Sequence, residues 1–258
     1  MQFIDTHSHM YLSDFAGDLD ACMQRALEAG VVLTALPNVD LRTVESLRAL
    51  HEAYPAQTLP MMGLHPCSVG PKWREELHAI HTELLSGQYI AIGEIGIDLY
   101  WDITYQREQE DAFAIQIGWA KELGLPIVIH ARESFREICT VLDSLCDERL
   151  TGVFHCFTGS VNDARKALSY PGFYLGIGGV LTFKKSGLDA VLSQIGIGRV
   201  VLETDAPYLA PTPFRGKRNE TVYTRLVAER MAEVTGLTLA EVAATTTRNA
   251  LQLFKLNA

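Results

Sequence analysis

The chain has 258 residues, of which 48% are hydrophobic and 21% charged, and its formal net charge is −9. That is an ordinary globular balance, and no apolar run reaches the length of a membrane span. The acidic charge excludes a broad surface for gripping duplex DNA, but not a nucleic-acid end held in a small pocket by cations and a few basic side chains.

Phe3, Ile4 and Thr6 are strand formers, so the first strand runs into His7-Ser8-His9. Side chains alternate along a strand, which puts His7 and His9 on one face, where they could share a metal ion. The alternative is two unrelated histidines, one of them buried and hydrogen-bonded. Asp5, His7 and His9 also interrupt any apolar core of a secretory signal. Leu19, Cys22, Met23, Ala26 and Leu27 recur at helical spacing, and Gly30 stops that helix. The apolar run 31–36 reads as a strand buried on both faces. A helix over 41–54, a strand over 59–64 ending at His65, a helix over 73–85 and a strand over 89–93 leading into Glu94 follow.

The alternation continues. A helix over 105–123 leads to a strand over 127–129 ending at His130, and a helix over 135–145 to a strand over 152–154 ending at His155. A helix over 161–168, a strand over 173–176, a helix over 188–195 and a strand over 199–203 come next, then Thr204 and Asp205. A loop rich in proline and basic residues precedes two helices, 221–235 and 239–254. Eight strands alternating with helices predict an α/β fold with a parallel sheet closed into a (β/α)8 TIM-type barrel. The rival, an open doubly wound sheet, should carry a glycine-rich loop where His-Ser-His stands. No linker or repeat interrupts the chain, so 1–258 reads as one domain. Five cysteines (Cys22, Cys67, Cys139, Cys146 and Cys156), odd in number and without Cys-x-x-Cys, read as reduced thiols of a cytoplasmic protein.

Residues able to bind metal recur at one kind of place. His7 and His9 follow strand one, Glu94 strand four, His130 strand five, His155 strand six and Asp205 strand eight. All lie at carboxyl ends of strands, the face where such barrels build active sites. Any one histidine could be a satisfied core residue, but packing does not explain four histidines and two carboxylates on one rim. Six ligands exceed one four-coordinate ion, which points to two divalent ions with Glu94 as the bridge. The nitrogen and oxygen donors suit Zn, Mn, Co or Ni, and Mg where water completes the shell. No cysteine is required; Cys156, next to His155 in a strand, should point the other way.

Five blocks carry a resemblance: Asp5-Thr6-His7-Ser8-His9, Gly93-Glu94-Ile95-Gly96-Ile97-Asp98, His155-Cys156-Phe157-Thr158-Gly159-Ser160, Glu203-Thr204-Asp205-Ala206-Pro207-Tyr208 and Arg215-Gly216-Lys217-Arg218-Asn219. Together they resemble the signature blocks of the TatD family of metal-dependent deoxyribonucleases, within the amidohydrolase-like barrels. The resemblance implies a metal-dependent hydrolase with ligands at His7, His9, Glu94, His130, His155 and Asp205. It also implies phosphodiester hydrolysis at single-stranded DNA ends, with nucleotides released stepwise from the 3′ end.

The residues suit that chemistry. Asp205 would bind one metal and orient, or deprotonate, the attacking water, with Glu94 between the ions. Glu203 shares the barrel interior, either supporting the ligands or touching a metal, or as an ion pair deeper in the barrel. Phosphate donors are expected from His65, from Lys184 and Lys185 after strand seven, and from Arg215, Lys217 and Arg218 after strand eight. Tyr208 and Phe214 could stack on a terminal base. Neither a membrane nor an obligate protein partner is expected. The rival activities are hydrolysis of a small amide, ester or lactone, and metal binding without catalysis.

Overall fold

The computed structural model describes residues 1–256. Eight strands are present in chain order: β1 Phe3–Asp5, β2 Val31–Leu36, β3 Thr58–Pro60, β4 Ile92–Asp98, β5 Ile127–Arg132, β6 Gly152–Phe154, β7 Phe173–Ile177 and β8 Val200–Leu202. The helices are α1 Leu19–Glu28, α2 Val44–Ala53, α3 Trp73–Ser86, α4 Gln106–Leu123, α5 Phe135–Leu145, α6 Val161–Ala167, α7 Leu188–Ile195, α8 Thr224–Thr235 and α9 Leu239–Leu253. Among the described residues, no helix is long and apolar enough to cross a membrane.

Every strand pair is parallel, β1-β2-β3 forming one ladder and β4-β5-β6-β7-β8 another. Two seams join the ladders into a ring. At one, Met62 bridges Ile92, and Gly93 N–H donates to the Met62 carbonyl at 3.0 Å. At the other, Thr6 N–H donates to Leu202 O at 2.9 Å, Asp205 N–H to His7 O at 2.9 Å and His9 N–H to Ala206 O at 2.7 Å. Closure leaves no free sheet edge and brings the first and last strands together.

The strand period of two sorts the core. Ile4, Ala35, Val128, Val153 and Val201 form one cluster with Leu253 and Phe254, so the end of α9 plugs the barrel. Their neighbours Phe3, Ile127, Ile129, Phe154, Leu175, Val200 and Leu202 belong to the second cluster, packed among the helices. Each fully buried aliphatic or aromatic side chain contributes about 1.5–3 kcal/mol. In the same alternation, His130 and Glu203 point where Val128 and Val201 point.

Two strands differ from expectation. The predicted strand 59–64 is regular only through Pro60, which has no N–H for the ladder. The predicted strand 89–93 instead begins at Ile92 and runs through Asp98, because Gly96, Ile97 and Asp98 pair on with His130, Ala131 and Arg132. Glu94 and His130 therefore lie within strands, not beyond their ends. Gly96 makes this pairing sterically feasible. Its φ is +145°, and a Cβ there would meet the His130 carbonyl at 2.1 Å.

Candidate metal centre

Asp5 fastens the histidine segment to the loop after β8. Its buried carboxylate accepts from Thr204 N–H at 2.9 Å, Thr204 Oγ1 at 2.6 Å and Thr221 Oγ1 at 2.9 Å. Burial pushes this carboxyl up to about 7 despite those donors. His7 and His9 are thereby held beside Asp205, which lies about 200 residues away in sequence.

Glu94 is the hub. Its Oε2 lies 3.2 Å from His7 Nε2 and 3.6 Å from His9 Nε2. Its Oε1 lies 2.7 Å from His130 Nδ1, 3.5 Å from His65 Nε2 and 3.7 Å from His155 Nε2. Asp205 Oδ1 stands 3.6 Å from His9 Nε2 and 3.8 Å from both His7 and His155 Nε2. The six residues predicted as ligands thus converge, and His65 joins them. Most of these contacts exceed the length of about 2.7–2.9 Å expected of charge-assisted hydrogen bonds. His7 and His9 even turn Nε2 toward Nε2, at 3.3 Å. Buried nitrogens and carboxylate oxygens that ring a common point at this spacing suit a cation better than one another, so the donor set fits metal.

Electrostatics agree. Burial, and then the His155 ring stacked 3.4 Å away, holds the His7 imidazole well below its usual range. Burial opposes charge on Glu94, but His7, His65 and His155 outweigh it and hold the carboxyl well below the usual range. Burial also opposes charge on His130 and His155. Asp98 and Glu94 nevertheless lift His130 to about 9, and Glu203 and Glu94 lift His155 to about 10. Burial raises Asp205 to about 6. The protons on His130 and His155 stand where a cation would compete for the same nitrogens.

Behind these groups lies a supporting layer. Glu203 Oε1 faces His155 Nδ1 at 3.1 Å and accepts the Cys156 N–H at 2.5 Å. Asp98 Oδ2 faces His130 Nε2 at 2.8 Å, and Tyr11 Oη faces His9 Nδ1 at 2.8 Å. Such partners fix the ring orientation and tautomer of a ligating histidine. Asp98 was missed by sequence reasoning, although its four-residue spacing from Glu94 on one strand puts both on one face. Tyr11 and Asp5 had no comparable signal.

Other predicted residues meet mixed outcomes. Cys156 does not point away: β6 has ended, Cys156 has φ +46°, and its thiol joins the ligand atoms of His155 and Asp205. Its alternation fails because the backbone there is left-handed and no longer extended. Lys184, Lys185 and Arg215 line one open cavity of about 560 Å³ with Phe183, Ser186 and Thr212. Arg215 lies 4.3 Å over the Phe183 ring, and Lys217 is exposed outside that lining. Arg218 is not available for a phosphate. It pairs with Asp18 through two bonds of 2.7 Å, with Glu220 at 3.0 Å and with the Asp14 carbonyl at 2.7 Å. Phe214 stacks on Tyr223 at 4.5 Å, whereas Tyr208 is 54% exposed, with its ring 6.2 Å from that of His9.

Comparisons with known proteins match this geometry. The family model described as TatD related DNase matches residues 4–255. The chain is 37% identical to the metal-dependent hydrolase YabD of Bacillus subtilis, over 98% of this chain and 99% of that one. It is 35% identical to a protein of Cronobacter sakazakii named 3′-5′ ssDNA/RNA exonuclease TatD, over 95% of each. The solved structure of YjjV, a TatD homolog of Escherichia coli, superposes with a TM-score of 0.89 at 29% identity, covering 99% of this chain and 98% of that one.

Proposed function

Because the chain belongs to the TatD family of metal-dependent hydrolases, we propose that it is a deoxyribonuclease that removes nucleotides from the 3′ ends of single-stranded DNA, with two divalent ions at the centre. The observation that carries this reading is the division of Glu94: one carboxylate oxygen faces His7 and His9, the other faces His130, His155 and His65. One residue thereby serves two adjacent clusters.

His7, His9 and Asp205 with Glu94 Oε2 would hold one ion; His130 and His155, with His65 in reach, and Glu94 Oε1 would hold the other. Divalent ions held there would supply a water of lowered pKa and offset charge on phosphoryl oxygens. Asp205, whose Oδ1 faces three imidazole nitrogens of the centre, is placed to orient that water and accept its proton. Glu203 keeps the His155 ring turned toward the centre. Lys184, Lys185 and Arg215 give an acidic protein a local basic surface for phosphates upstream of the scissile bond.

The test is a time course on single strands labelled at either end, with Mg²⁺ or Mn²⁺. The expected outcome is stepwise shortening from the 3′ end. Shortening from the 5′ end would overturn the polarity. No DNA cleavage beside brisk amide or lactone hydrolysis would overturn the nuclease.

A further inference from the structure

Three residues beside the centre have no part in the reading above. Tyr100 and Trp101 follow β4 and are 49% and 68% exposed. Their rings meet edge to face at 4.9 Å. Arg132, the last residue of β5, sets its guanidinium 3.8 Å over the Tyr100 ring and 5.1 Å from the Trp101 ring. Among the described residues, Arg132 lies on these rings and pairs with no carboxylate. Two large rings left in water beside an uncompensated cation have no packing explanation.

The loop that carries them is anchored to the metal centre. Asp98 Oδ1 accepts the N–H of Tyr100 at 3.0 Å and of Trp101 at 3.1 Å, while its Oδ2 faces His130 Nε2 at 2.8 Å. Leu99 N–H also donates to the Arg132 carbonyl at 3.0 Å. A single carboxylate thus positions both an aromatic platform and the imidazole that faces Glu94.

We propose that Tyr100, Trp101 and Arg132 form a subsite for one unpaired nucleotide of the strand, its base stacked on Trp101 and its phosphate paired with Arg132. This rests on the nuclease reading and deepens it. Every base has a π face, so the platform tolerates any sequence, whereas a base inside a duplex has both faces occupied. The subsite therefore selects single strands over duplexes without reading bases. Arg132 favours a phosphate-bearing occupant over a second copy of the chain, even though Ile103 nearby is also 67% exposed.

The experiment uses metal-loaded protein and an oligothymidylate carrying phosphorothioate linkages at its 3′ end, with binding read from the anisotropy of a fluorophore at its 5′ end. Trp101→Ala is expected to raise Kd about tenfold, and Trp101→Phe to recover most of that loss. Arg132→Ala should also raise Kd, and should reduce its salt dependence by less than about one log–log unit. On hydrolysable DNA, the ratio of kcat/KM for the strand to that for bis(p-nitrophenyl) phosphate should fall about tenfold in Trp101→Ala. An unchanged Kd, or an unchanged ratio with both activities lost together, would overturn the subsite. So would a concentration-dependent oligomer that Trp101→Ala dissociates, since the patch would then join copies of the chain. Trp101-dependent binding by a wild type that cleaves no DNA would leave the subsite standing and reject the nuclease.

Discussion

Asp205 and Glu203 are two residues apart and hold different positions. Asp205 Oδ1 faces three imidazole nitrogens of the centre. Glu203 stands behind the stacked rings of His155 and His7, with a carboxylate oxygen close to a ring nitrogen of each. Asp205→Asn should therefore cost at least about 100-fold in kcat with the circular dichroism spectrum unchanged, whereas Glu203→Gln should cost about tenfold. The reverse order would exchange their roles. Arg218 belongs to another kind of contact. Its hydrogen bonds are the largest influence holding the Asp18 carboxyl down at about 2, below its value of roughly 3.9 in an unfolded chain. A carboxyl lowered on folding stabilises above its unfolded pKa, and that contribution fades as pH falls through the folded value. Arg218→Ala should lower Tm by about 2–4 °C at neutral pH, and the deficit should narrow between about pH 4 and pH 2. A deficit independent of pH in melts across that window would assign the loss to packing on Phe15, whose ring lies 4.7 Å from the guanidinium.

At the level of elements, the long ladder between β4 and β5 places Glu94 and His130 side by side. The pairing of Gly96 with His130 begins the stretch that continues through Asp98 and Arg132. Gly96→Ala adds a Cβ against the His130 carbonyl, in a backbone conformation that L residues rarely adopt. The expected loss is about 2 kcal/mol or more in urea denaturation, together with reduced metal content. Equal stability in the two proteins would show that the ladder tolerates a spread of β4 from β5. Gly176 on β7 has a parallel function, since a Cβ there would lie 2.2 Å from Glu203 Oε2. The small residue leaves room for the buried carboxylate that holds His155.

Across the whole molecule, charge and metal dominate. Wild type should bind about two divalent ions per chain, and Glu94→Ala at most one, by elemental analysis after dialysis. Chelation should abolish DNA hydrolysis and Mg²⁺ or Mn²⁺ restore it; full activity in metal-free protein would reject the centre as the seat of reaction. The net charge of −9 limits how many phosphates the surface can neutralise. With Lys184, Lys185, Arg215 and Arg132 as the cations proposed to meet the strand, the log–log salt slope of the association constant should be no steeper than about −3. A much steeper slope would require a longer basic track than these residues provide.

The β-α alternation and the strand-end positions of His7, His9, His155 and Asp205 were legible in the sequence, whereas Glu94 and His130 lie within β4 and β5. The alternation and the strand-end positions follow from local rules: a side-chain period of two, apolar runs broken by glycine, and helices between strands. The tertiary structure alone decided how Glu94 divides its oxygens, why Asp98 stands behind His130, and that Arg218 is consumed by Asp18, 200 residues away in the chain. It also turned Cys156 inward and put Arg132 over Tyr100. Those outcomes depend on backbone angles at strand ends and on contacts between distant segments. Hydrophobic periodicity carries no record of either, because it reports which face of an element is buried and not which partner meets it there.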